Sequence, residues 1–112
     1  MAKYFTPEEI KGLFPDVVFK LDRARELFNA PIIITSGYRD PALNDKAGGV
    51  KDSAHTKGLA VDIRCADIDM QKRLIWALCI AGFRRIGAYD KHVHADVSTD
   101  LPTPSFWTGI SH

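Results

Sequence analysis

The sequence has only two cysteines, Cys65 and Cys79, and they form no Cys-x-x-Cys pair. That is too few for a disulfide framework, so free and buried thiols are expected. Charge of one sign is also missing: 15 Lys and Arg stand against 14 Asp and Glu, for a net charge of +1. Such a balance provides neither the basic field of a nucleic-acid binder nor an acidic tail. No apolar run is long enough to cross a bilayer, and the start, Met-Ala-Lys-Tyr-Phe-Thr-Pro-Glu-Glu, lacks a signal-peptide core. Membrane insertion is therefore not expected, and the chain is read as made in the cytoplasm. Repeats, linkers and low-complexity tracts are absent as well, and nothing implies an obligate protein partner. What is present is an ordinary soluble composition, 46% hydrophobic and 26% charged over 112 residues. It fits one compact domain, 1–112, with a real core.

Thr6-Pro7-Glu8-Glu9 has the form of a helix start with a capping box, which predicts a short helix to Leu13 or Phe14. Pro15 permits a second start, and Val18, Leu21, Ala24 and Phe28 recur at helical steps. Pro31 to Ser36 is β-branched and apolar and predicts a short buried strand. Gly37 to Lys57 lacks periodicity over about twenty residues, a length at which loops in small domains are usually functional or disordered. Leu59 to Arg64 alternates, with Leu59, Val61 and Ile63 on one side and Ala60, Asp62 and Arg64 on the other. Asp67 can cap a third helix with Ile68, Leu74, Ile75, Leu78 and Cys79 inward, ended by Gly82. Strand structure is expected again at Arg85 to Ala88 and at His92 to Val97. The tail from Ser98 to His112 carries Pro102, Pro104, Phe106 and Trp107 and predicts a loop pinned by its aromatics.

The residues that carry chemistry gather around Ser53-Ala54-His55-Thr56-Lys57-Gly58-Leu59-Ala60-Val61-Asp62. His55 and Asp62, joined by His94 from a second segment, would offer Zn²⁺ two imidazoles and a carboxylate and leave a fourth position open, as a catalytic zinc requires. A histidine and an aspartate seven residues apart occur often by chance. The pair gains weight from His92, His94 and Asp96, which alternation places on one strand face, where polar side chains are costly unless they bind something or meet water. Arg39 follows a strand and has two readings: a surface pair with Asp40 or Asp45, or a planar grip on a substrate carboxylate. His112 reads as a solvated terminal residue.

The series Ser36-Gly37-Tyr38-Arg39, Asn44, Gly48-Gly49, Ser53-x-His55-x-x-Gly58-x-Ala60-x-Asp62-Ile63 and His94-x-Asp96, with Trp107 beyond, resembles the zinc D-Ala-D-Ala carboxypeptidase family of peptidoglycan peptidases. The resemblance implies an α+β fold with a small, mainly antiparallel sheet and helices on one side, shared with hedgehog signalling domains. It implies one Zn²⁺ per chain on His55, Asp62 and His94, with Arg39 and Ser53 at the substrate or the reacting carbonyl. The substrate would be the peptide cross-bridges or stem peptides of peptidoglycan, cut as by a D-Ala-D-Ala carboxypeptidase or an L-Ala-D-Glu endopeptidase of the phage endolysin kind. Such an enzyme acts on the wall after release from the cell or as part of a virion, and phage and bacterial origins are both open.

One position departs from the family pattern. Some members carry an acidic base three residues before the last histidine ligand, where this chain has Lys91. His92, as in other members, is then the first candidate for proton transfer, with an unperturbed pKa near 6.5. Asp90 is the second. A non-catalytic, zinc-stabilised binding module of the same fold is the rival reading, supported by Lys91 and opposed by Arg39, Ser53 and His92, which a structural zinc does not need. A metal-free interaction domain would require the entire series to be coincidence.

Overall fold

A computed structural model describes residues 2–42 and 53–110. The motif positions Asn44, Asp45, Gly48 and Gly49, and the terminal His112, lie outside the described residues.

Two helices cover one face of a five-stranded sheet. Helix α1, Pro15–Phe28, begins with proline at its first position, where no intrahelical N–H is needed, and ends at Asn29, which takes the left-handed conformation at φ 57°. Its buried stripe is Val17, Leu21, Ala24 and Phe28. Val17 rather than the expected Val18 faces inward, because a step of four from Leu21 keeps one side of the helix. Helix α2, Ile68–Ala81, starts at Asp67, whose carboxylate accepts from the Met70 N–H at 2.8 Å, and stops at Gly82 at φ 115°. It buries Leu74, Ala77, Leu78 and Ala81. Cys65 is buried as expected, but Cys79 is exposed, and so is Ile68. The stripe runs through two alanines that carry no strong hydrophobic signal, and it turns Cys79 outward.

The strands are β1 (Ile34–Ser36), β2 (Ala60–Arg64), β3 (Arg85–Ala88), β4 (His92–Asp96) and β5 (Ser105–Thr108), in the spatial order β1-β2-β4-β3-β5. All pairings are antiparallel except β3 with β5, which is parallel. The expected α+β fold with a mainly antiparallel sheet and helices on one side is what forms. Val61, Ile63, Ile86, Val93 and Ala95 point to the helices and join their apolar stripes in one core. The opposite face carries the polar residues.

Three elements differ from expectation. Residues 7–12 form turns and no helix. The capping box is made, Thr6 and Glu9 exchanging bonds of 2.8 and 3.2 Å, but Gly12 at φ 79° and then Pro15 break the segment before it can propagate. The run after Pro31 contributes only three residues to the sheet, as an edge strand with Ile33 largely exposed. The tail, expected to be a loop, supplies β5. Its Trp107 is nonetheless half-buried and tied to the body, while Phe106 is exposed.

Candidate metal centre and active site

Strand register puts one transverse row of residues across the polar face. Ser36 pairs with Asp62, Asp62 with His94, His94 with Gly87 and Gly87 with Trp107, so all five strands contribute a residue to the same line. His55 joins from outside the sheet, on a 3-10 turn, Ala54–Lys57, that precedes β2. Ser53 caps this turn, its hydroxyl accepting from the His55 N–H at 3.2 Å. Gly58 closes it at φ 74°. A side chain there would strike the Gly12 carbonyl, and Phe14 donates its N–H to Gly58, so the N-terminal segment buttresses the turn that presents His55.

His55, Asp62 and His94 offer ligand atoms that all lie within 4.8 Å of one another, and they are the potential metal cluster among the described residues. The hydrogen bonds show which atoms face inward. His55 Nδ1 is 2.8 Å from the Gly37 carbonyl, an acceptor, so Nδ1 carries the proton and Nε2 turns a lone pair toward Asp62 Oδ1 at 3.3 Å. His94 Nε2 is 2.7 Å from Asp96 Oδ2, which leaves Nδ1 facing the same Asp62 oxygen at 3.1 Å. Two imidazole nitrogens and a carboxylate oxygen thus converge in a largely buried place, an arrangement suited to a cation. Nitrogen, nitrogen and oxygen donors with the far ring nitrogens held by an oxygen acceptor are what Zn²⁺ takes at catalytic sites. The donor set fits the metal.

The same groups are strongly coupled electrostatically. Burial pushes the Asp62 carboxyl up, but hydrogen bonds and attraction from His55 and His94 more than reverse this and hold it well below the usual carboxylate range. Burial lowers His94, yet Asp62 and Asp96 together raise it above its ordinary value. Asp96, fully buried, is opposed by desolvation and is nonetheless lowered by His94, the Ser98 N–H at 3.0 Å and Arg85. Arg85 Nε lies 3.0 Å from Asp96 Oδ1, so the chain Arg85, Asp96, His94 orients the ring from behind.

Arg39 is placed at the site, not on a surface pair with Asp40. Its N–H bonds to the His55 carbonyl at 3.0 Å, its Nε donates to Ser36 Oγ at 3.1 Å, and its Nη2 lies 3.6 Å from Asp62 Oδ2. Ser53 stands at the other end of the His55 turn. His92 is on the same face of β4 as His94, half-buried, with its ring stacked on Tyr89. Asp90 is exposed in the β3–β4 turn with Lys91, before the strand begins. Sequence reasoning gave no role to Asp96, Arg85 or Tyr89. The spacing His94-x-Asp96 was the available signal for the first, whereas Arg85 and Tyr89 reach the site only through pairing with β4.

A solved structure described as the Serratia marcescens L-Ala D-Glu endopeptidase ChiX has a similar fold, with a TM-score of 0.67 at 17% identity over 89% of this chain and 90% of that one. No curated protein matches the sequence. The family model for Peptidase M15 matches residues 4–96, which include every strand and turn that supplies the three metal-facing side chains. The chain belongs to the Peptidase M15 family.

Proposed function

We propose that this protein is a zinc-dependent peptidase of bacterial peptidoglycan, a single domain with one Zn²⁺ held by His55, Asp62 and His94, that cleaves stem peptides. The observation that carries this reading is the convergence of three buried lone-pair atoms beside a half-buried arginine, in a chain of the Peptidase M15 family. That the similar ChiX structure is of an L-Ala D-Glu endopeptidase supports stem peptides as the substrate class. The cut is of the L-Ala-D-Glu endopeptidase or the D-Ala-D-Ala carboxypeptidase kind.

When bound, Zn²⁺ supplies Lewis acidity for polarising a peptide carbonyl and acidifying water. The chain's own groups do the rest. Arg39, whose Nε is anchored by Ser36, presents its guanidinium to a substrate carboxylate or to the negative charge that develops on the carbonyl oxygen. Ser53 lies across the His55 turn, in reach of the same substrate segment. His92, two residues before His94 on the same face, accepts a proton from the attacking water and returns it to the leaving amine. Asp90, in the turn, is the second candidate for that role. Asp96 and Arg85 hold His94 in the tautomer that faces the metal.

Purified sacculi incubated with zinc-loaded protein, followed by mass analysis of the muropeptides, test the proposal. Loss of a terminal alanine identifies a carboxypeptidase, and scission between the first two stem residues identifies an endopeptidase. Absence of any cleavage would leave the zinc-stabilised binding module. Variants assign the roles. His94→Ala is expected to lose most zinc. His92→Ala is expected to keep zinc and lose roughly a hundredfold in rate, the usual scale of general acid-base catalysis. A small effect at His92 with a large one at Asp90→Asn would move the base to Asp90.

A further inference from the structure

The family match ends at Asp96, yet β5 brings Trp107 onto the site face beyond it. Its indole lies across Gly87. A Cβ at Gly87 would sit 2.6 Å from the indole Cε2 and Nε1, so the missing side chain is what lets the ring reach over β3 toward His94, 5.4 Å away between ring centres. There the indole N–H donates to the Tyr89 hydroxyl at 2.9 Å. Tyr89 in turn lies flat against His92, ring centres 4.4 Å apart and planes within 8°.

Tyr89 is held through its backbone and its ring. Its backbone N–H bonds to the His92 carbonyl at 2.9 Å, and its carbonyl accepts from Gln71 on α2 at 2.6 Å. Gly109 passes so close that a Cβ there would be 2.5 Å from the ring. These contacts fix the near end of the ring and one edge, and the Trp107 N–H fixes the far end. A phenol pinned at both ends is a rigid plate, and His92 is laid upon it.

We propose that Trp107 and Tyr89 are positioning residues for the catalytic step, with Trp107 acting through its hydrogen bond to Tyr89 to hold the His92 ring in its working orientation. The proposal rests on the reading of His92 as the proton-transfer residue. It makes β5 a working part of the site, since the strand's pairing with β3 is what aims the indole.

The test uses the full chain loaded with zinc. Trp107→Phe keeps a ring on Gly87 without an N–H, and Tyr89→Phe keeps a ring beside His92 without the hydroxyl that pins it. Each is expected to lower kcat by roughly three- to tenfold, about what one ordinary hydrogen bond is worth. KM and zinc content are expected to stay unchanged, and the double variant to lose no more than either single one, because both remove the same bond. The ring-proton resonances of His92, shifted by the Tyr89 ring in the wild type, are expected to move toward free-histidine positions in both single variants and to stay in place in Phe106→Ala. Additive losses, a raised KM at unchanged kcat, or His92 resonances that do not move in either single variant would overturn the proposal. A His92→Ala protein with undiminished kcat would overturn the proton-transfer reading instead, and the resonances would still decide whether Trp107 holds the ring.

Discussion

Arg39 meets Asp62 at 3.6 Å with its guanidinium about a quarter exposed, a geometry that keeps it oriented beside that carboxylate. Arg39→Lys preserves the charge and loses the planar fork. Catalytic efficiency is expected to fall by about 2–4 kcal/mol of transition-state stabilisation, the scale of a lost oxyanion donor. Thermal stability should change little. Wild-type kcat/KM in that variant would reduce Arg39 to a structural partner of Asp62. Behind His94, Asp96→Asn tests orientation of the ligand. An uncharged amide grips the imidazole N–H less firmly and leaves Arg85 without its carboxylate, so zinc affinity is expected to drop roughly ten- to a hundredfold, as for other outer partners of metal-bound histidines. Competition with a chelator of known affinity measures it, and an unchanged Kd would mean that the ring is oriented elsewhere. The three side chains that converge, His55, Asp62 and His94, were legible in the sequence because their spacing and their strand period are local properties. The partner of Arg39 was not, since Asp62 reaches it only when β1 and β2 pair.

At the scale of elements, what could be read followed the strength of the local pattern. His92, His94 and Asp96 alternate with Val93 and Ala95, and a strand with one buried face cannot hide that period. Asp67 and Gly82 bracket α2 with cap chemistry that acts within a few residues. The four residues of β5 carry no such signal. They follow Pro102 and Pro104, show one large exposed aromatic, and are stabilised by parallel pairing with a strand distant in sequence. The turns at 7–12 show the converse, a correct cap on a helix that its glycine does not allow to grow. Gly87 is where an element-level prediction can be made. Its backbone is ordinary, so Gly87→Ala costs no strain in φ, but the added methyl displaces the indole. The variant is expected to fold, to retain zinc, and to lose both kcat and the Trp107 fluorescence of the wild type. Retained activity with a shifted indole would show that the strand, rather than its tryptophan, is what matters.

For the whole molecule, the metal-facing atoms come from residues 55, 62 and 94, which meet only in the completed sheet. Binding to the folded state and not to the unfolded chain stabilises the protein by about 2.7 kcal/mol when free zinc is at a hundred times Kd. Chelation is therefore expected to lower Tm by roughly 10–20 °C, at about 4–8 °C per kcal/mol for a domain near this size. The shift should reverse on adding zinc back, and a Tm indifferent to chelator would count against a resident ion. Among the described residues, no helix is long and apolar enough to cross a membrane.

The transverse row from Ser36 to Trp107 has one more effect. Backbone hydrogen bonds alone distinguish poorly between one alignment of β4 on β2 and its neighbour. A slip of a single residue would turn His94 toward the helices and present Val93 or Ala95 to Asp62. An ion bound in the native alignment has no counterpart in the slipped one, so its whole binding free energy separates the two. A metal held there would proofread the sheet, and a chain folded without one is where misaligned sheets should be sought.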